Sequence, residues 1–180
     1  FVARQGIDVV RCGFFVTARR ALCTFPRMQD NTLAKIESLG FKLPEVPQPV
    51  AAYVNWVRTG NLLFLSGGLP IDGDVKILGK VPSVCPIEKA VEGSRIIILN
   101  RLAVIKEAIG SLDNVKQIVT LNGFVNSDPD FTGHPVVVNG ASEFLVEIFG
   151  ERGKHSRTAI GVAALPLDVS VEINLIVEVA

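Results

Sequence analysis

Cysteine, histidine and net charge are all in short supply in this chain, and each shortage removes a class of function. Three cysteines, Cys12, Cys23 and Cys85, stand far apart and are odd in number. They suggest neither a disulfide framework nor a Cys-x-x-Cys metal site, and they point to a reducing compartment. Cys85 reads as a buried structural cysteine, the commoner state of an isolated thiol, and not as a nucleophile. The two histidines, His134 and His155, show no His-Glu-x-x-His or similar ligand spacing, which argues against a protein-built metal site. Eighteen basic residues balance eighteen acidic ones. The basic surface that holds nucleic-acid phosphates is therefore missing, although a small electropositive pocket is still compatible with this balance. No apolar run reaches the roughly eighteen residues of a membrane-spanning helix. Phosphate cradles are lacking too, since Ser66-Gly67-Gly68-Leu69-Pro70 leads into neither Gly-Lys-Thr nor a Gly-x-Gly-x-x-Gly pattern.

What the chain does hold is apolar mass. Of its 180 residues 48% are apolar, and the mean hydropathy is +0.40. One domain of this length buries a substantial core, yet this is more apolar surface than one small core hides. Burial at a subunit interface is the economical explanation, and it predicts an oligomer.

Residues 1–27 differ in kind from the rest. They carry Arg4, Arg11, Arg19, Arg20 and Arg27 against the single acid Asp8, the Arg-rich, acid-poor composition of an organellar presequence. Upstream sequence ahead of a domain fits equally well, which leaves the compartment as cytoplasmic or mitochondrial. The domain itself is expected over 28–180. Asp30-Asn31 caps a short helix through Leu33, Ile36 and Leu39, ended by Gly40. The prolines of Leu43-Pro44-Glu45-Val46-Pro47-Gln48-Pro49-Val50 keep that stretch extended. Residues 53–57 and 62–65, joined by the turn Thr59-Gly60-Asn61, form a hairpin. The glycines of Ser66-Gly67-Gly68 that close it suit a sharp turn or backbone lying against a ligand.

After a loop, Pro86 opens a long helix with Val91, Ile98, Leu102, Ile105 and Ile109 on one stripe and Gly110 at its end. Residues 115–126 read as a strand, Pro135 opens a second helix stopped by Gly150, and strands over 157–164 and 169–179 finish the domain. The order β-β-α-β-α-β-β is α+β, a mixed sheet with both long helices on one face. The last strand is apolar on both sides, Val171, Ile173, Leu175 and Val177 against Ile176, so the uncovered face needs a partner.

Arg157 opens one of these final strands and Glu172 stands in the middle of the other. A charge in a strand is costly unless it is paired or used, which makes both candidates for function beside the plainer reading of a solvated strand edge. Around them the chain resembles the Rid family of enamine and imine deaminases, also called the YjgF or L-PSP endoribonuclease family, and specifically a longer branch of it with the proline-rich lead-in. The resemblance rests on Tyr53 entering the first strand, Ser66-Gly67 after the second, Asn139 on the second long helix, Ser156-Arg157, Leu165-Pro166, Asp168-Val169, and Glu172 in the final strand. It implies a chorismate-mutase-like fold assembled as a homotrimer, with active clefts between neighbouring subunits.

By the same resemblance Arg157 binds a substrate carboxylate through its two-pronged guanidinium and Glu172 positions the attacking water. Tyr53, Ser66, Gly67, Asn139 and Ala159 complete a pocket for a small carboxylate metabolite, with no cofactor and no metal. Ala159 departs from the short deaminases, which often carry cysteine there, and this shifts water placement onto Glu172 and backbone. The implied activity is hydrolytic deamination of 2-enamine or 2-imine carboxylic acids to 2-oxo acids and ammonia. A non-catalytic metabolite-binding trimer is the second reading. Ribonuclease is a third, weakened by the lack of a histidine pair and of a basic track.

Overall fold

The computed structural model describes residues 30–48 and 52–180; the Arg-rich segment 1–27 lies outside the described residues. Helix α1 (Asn31–Ser38) starts where Asp30 accepts the Leu33 N–H at 2.9 Å. Asp30 also accepts the Leu112 N–H at 2.8 Å, and Asp113 accepts from both Asn31 N and Thr32 N at 2.9 Å. These reciprocal caps fasten α1 to the short turn that feeds the central strand.

Strands β1 (Trp56–Thr59) and β2 (Leu62–Leu65) form the expected hairpin, but β1 begins three residues later than the 53–57 read from sequence. Beyond Leu65 the chain leaves β1, and Gly68 pairs with Ile173 instead. Tyr53 is thus left without a ladder partner, ahead of the strand and half exposed. A small hairpin, β3 (Ile71–Asp72) and β4 (Val75–Lys76), occupies what sequence presented as a loop. Two residues per strand are too few to show an alternation.

Helix α2 (Ile87–Ile109), strand β5 (Val115–Asn126) and helix α3 (His134–Phe149) stand where the patterning put them. Gly40, Gly110 and Gly150 all take positive φ at the helix ends. Strand β6 (Ser156–Val162) stops two residues short of the expected 164, because its partner β5 ends at Asn126 opposite Val162. Strand β7 (Val171–Val179) begins two residues late, after a tight turn over Pro166–Asp168 in which Leu167 and Asp168 both have φ 57°.

The five-stranded sheet runs β1-β2-β7-β5-β6, with β5 and β6 parallel across the α3 connection and the other pairs antiparallel. Helices α2 and α3 pack on each other and on one face, where Leu63, Leu121, Val125, Ile173, Leu175 and Val177 are buried. The other face is uncovered among the described residues. One register row across it reads Val57, Phe64, Ile176, Thr120, Ser156, with Val57 57% and Phe64 39% exposed. Period-two alternation decides this: the odd residues of β7 enter the core, while Glu172, Asn174, Ile176 and Glu178 look outward.

Candidate functional site

Arg157 sits on β6, the strand at one edge of the sheet, paired with Leu121 and so on the helix-covered face. Helix α3 brings two polar side chains over it, one turn apart. Arg157 Nη1 donates to Asn139 Oδ1 at 2.6 Å and to Ser142 Oγ at 3.3 Å. The guanidinium stays exposed with no acid paired to it among the described residues. It is therefore pre-oriented by neutral acceptors and retains donors for an anion.

Behind it runs a directional chain of hydrogen bonds. His155 Nδ1 lies 2.7 Å from the Gly153 carbonyl, which can only accept, so that nitrogen carries the proton. Nε2 then accepts from the Ser142 hydroxyl at 3.0 Å, and Ser142 Oγ is left to accept from Arg157. Burial pulls the His155 pKa below its ordinary value; the Gly153 carbonyl opposes this and the Arg157 charge adds to it. The neutral imidazole is what the chain requires. Because the folded-state value is depressed, the unfolded chain binds the extra proton more readily. The stability His155 contributes is complete above the ordinary histidine value of about 6.5 and is lost as pH falls through the folded value. His155→Gln is expected to flatten the fall of the urea midpoint between pH 7.5 and 5.5. A slope as steep as the parent's would place the titration elsewhere.

The second group gathers around the end of β2. Glu172, on β7, looks out from the open face and lies half-buried over Gly67, where a methyl group would overlap its Oε1. Burial pushes the Glu172 carboxyl above the usual carboxylate range, and the Arg101 charge opposes that rise. On the other side of the same backbone lies Arg101. A methyl at Gly68 would stand 2.9 Å from Arg101 Nε and 2.6 Å from Ile97 Cγ2. The Gly67-Gly68 pair is thus a thin partition, bare of side chains, between a carboxylate and a guanidinium. Arg101 Nη1 donates to the Ser66 carbonyl at 3.0 Å.

Of the residues expected in a site, Gly67, Glu172 and Tyr53 fall in this second group; Tyr53, Gly67 and Arg101 line one cavity of about 240 Å³. Ser66 is near, but its hydroxyl donates to the Val54 carbonyl at 2.6 Å, holding the Tyr53 segment against β2 and not facing the cavity. Ala159 is beside Arg157 in sequence, on the same strand face, partly buried against the core. Sequence reasoning passed over Arg101, Ser142 and His155 as site residues. Arg101 had a usable signal: it lies four residues from Ile97 and four from Ile105, both fully buried, and so on the core face of α2.

One chain does not join the two groups. Arg157 pairs with Leu121, which pairs with Leu175, three residues along β7 from Glu172. Two strand spacings and three residues of rise separate them by about 14 Å, and their side chains leave opposite faces of the sheet.

Comparison with known proteins agrees with the fold. A family model described as "YjgF/chorismate mutase-like, putative endoribonuclease" matches residues 33–179. Protein TCP17 of Trypanosoma cruzi is 39% identical over 148 residues, which cover 81% of this chain and 92% of that protein. A Dermatophagoides farinae protein named 2-iminobutanoate/2-iminopropanoate deaminase is 30% identical over 136 residues, covering 74% of this chain and 91% of its own. The crystal structure of Atu1372 from Agrobacterium tumefaciens, a protein of unknown function, superposes with a TM-score of 0.79 at 38% identity, over 84% of this chain and 94% of that one. With its α+β architecture, its strand order and a family match running from α1 to the end of β7, this chain belongs to the YjgF, or Rid, family.

Proposed function

We propose that the protein hydrolyses small 2-enamine and 2-imine carboxylic acids, such as 2-aminoacrylate, to the 2-oxo acid and ammonia, in clefts between neighbouring copies of a homotrimer. The observation that carries this reading is the division of the candidate site. The Arg157–Asn139 group can anchor a carboxylate but, among the described residues, has no paired acid of its own to manage water. The Glu172–Gly67 group has that acid and, about 14 Å away by strand geometry, cannot reach the same small molecule. A second copy, meeting the first through the uncovered apolar face, would join one group to the other. The imine-deaminase relative at 30% identity supports the reaction class.

The chemistry follows from these groups. An enamine takes a proton at C3 to become the imine, and water adds at C2. The C–N bond then breaks as ammonia leaves and the carbonyl forms. Both water protons end on nitrogen, one of them carried by Glu172. A carboxyl raised by burial exchanges protons closer to neutral pH, where acid–base catalysis is most effective. No cofactor is called for.

The second reading, a metabolite-binding regulator, is favoured by Ala159, which puts a methyl group where the short deaminases carry a thiol. Ribonuclease finds less support. His155 packs on Ser142, eight residues along α3 from His134, and so about 12 Å from it along the helix axis. A dehydratase generating 2-aminoacrylate in situ separates the first two readings. The protein is expected to speed 2-oxo acid release above the spontaneous rate, and no acceleration would leave only binding.

The glycine partition supplies a finer test. Gly68→Ala is expected to cost about 1–3 kcal/mol of stability, since its methyl meets Ile97 and Arg101 in a closed core. Gly67→Ala meets only the flexible end of Glu172. Its melting temperature should hardly move, while turnover falls by up to about 10²-fold as the carboxylate is displaced. Turnover unchanged in Gly67→Ala would remove Glu172 from the reaction.

A further inference from the structure

Among the described residues, Arg101 is buried without a counter-charge. Only 3% of it is exposed, on a helix face otherwise given to Ile97, Leu102 and Ile105. Among the described residues the salt bridges are two surface pairs, Lys89–Glu92 and Lys154–Glu151, so no carboxylate pairs with Arg101. Its Nη1 reaches the Ser66 carbonyl, and its Nε has no hydrogen-bond partner among the described residues. Burial pulls its pKa down, with Tyr53 and Glu172 opposing from a distance. A guanidinium taken out of water at a cost of several kcal/mol, with one neutral acceptor in return, is an unfinished arrangement unless something else supplies the charge.

The surroundings say where that charge enters. Arg101 lines the cavity of about 240 Å³ together with Tyr53, Gly67, Leu69, Ile71 and Leu167. Asn100 lines it too, but its Nδ2 donates to the Ile71 carbonyl at 2.8 Å and the Leu69 carbonyl at 3.4 Å, fixing the β3 wall. The cavity thus offers a buried cation and apolar walls fit for methylene groups, and Glu172 lies beyond it, on the other side of the Gly67 backbone. Arg157 lies on the same helix-covered face but on the edge strand β6, three strand spacings or about 14 Å from the β2 end where Arg101 sits, so the two guanidinium groups do not compete for one anion within a chain.

We propose that Arg101 receives a second carboxylate of the substrate, which makes the preferred substrates imines of dicarboxylic acids. The inference rests on the deaminase reading above: Arg157 of a neighbouring copy holds the carboxylate beside the imine carbon, and Arg101 holds the one at the far end of the carbon chain. Placement of the distal carboxylate would set chain length, and the Arg101 charge would be balanced only in the loaded site.

Stable 2-oxo acids test this by isothermal titration on the full chain. The parent is expected to bind 2-oxoglutarate at least tenfold more tightly than 2-oxobutanoate. In Arg101→Met that ratio should fall to within about twofold of one, and Arg101→Lys should keep part of it. In Arg157→Ala both acids should weaken. A parent that binds the two acids equally would overturn the proposal without any variant, so a misfolded Arg101→Met does not shelter it. An Arg101→Met protein that melts cooperatively and keeps the tenfold ratio would overturn it as well. Acetate that strengthens 2-oxobutanoate binding would show a separate anion at Arg101 and sink the distal-carboxylate assignment. Failure of the parent to bind either acid would overturn the deaminase reading itself, whereas binding without discrimination overturns only the role of Arg101.

Discussion

Glu172→Gln is expected to lower turnover of 2-aminoacrylate by roughly 10²-fold or more while binding of a stable 2-oxo acid changes little. Glutamine keeps the shape of the side chain over Gly67 and removes only its capacity to carry a proton. The same change is expected to stabilise the fold at neutral pH. Burial raises the Glu172 carboxyl in the folded state, so the folded protein holds that proton more tightly than the unfolded chain. The resulting stability is full below the unfolded glutamate value of about 4.3 and is lost as pH rises through the folded value. At neutral pH the ionised carboxylate is therefore a liability that glutamine relieves. Melting temperatures of parent and variant should differ at pH 7.5 and converge toward pH 4. A variant both less stable and fully active at neutral pH would make Glu172 structural. Its counterpart is Arg157. Lysine there keeps the charge and loses the fork, and 2-oxo acid binding is expected to weaken by about 1–3 kcal/mol.

Charging the open face is expected to take the assembly apart. Phe64 and Ile176 are paired neighbours on that face, with Val57 beyond Phe64 in the same row. Glutamate at either position would be harmless on a solvated surface and prohibitive in a buried one, because an unpaired charge in an apolar contact costs several kcal/mol. Light scattering coupled to size exclusion should give the parent three times the 19.4 kDa chain mass, and Phe64→Glu or Ile176→Glu something close to one chain. Under the proposed function, in which each copy supplies only part of the site, deaminase turnover should disappear with the mass, although circular dichroism of the variant stays that of a folded sheet. A parent that runs as a monomer at micromolar concentration, or a monomeric variant with full turnover, would refute assembly across this face.

Local sequence determined most of the fold. The positions of α2, β5 and α3 follow from apolar periodicity bounded by Pro86, Gly110, Pro135 and Gly150, signals that act within a few residues of one another. The uncovered face was legible too, because Ile176 lies on the opposite side of its strand from Ile173, Leu175 and Val177. Candidate site residues carried by a familiar order of motifs, Arg157 and Glu172 above all, could be named but not arranged.

Only tertiary structure decided the arrangement. Tyr53 fell outside its strand because the β1–β2 ladder ends at Trp56 opposite Leu65, while the chain beyond keeps to β7 through Gly68 and Ile173. Ser66 turned its hydroxyl to the Val54 carbonyl. Arg101 was carried on α2 to the underside of Gly68, into the wall of the cavity that Tyr53 and Gly67 also line. The division of the site has the same origin. Residue alternation says that Arg157 and Glu172 each leave a strand, but which strands are neighbours, and therefore which face and distance separate the two charges, depends on the strand order β1-β2-β7-β5-β6. That order is set by contacts between segments far apart in the chain, which no local pattern encodes.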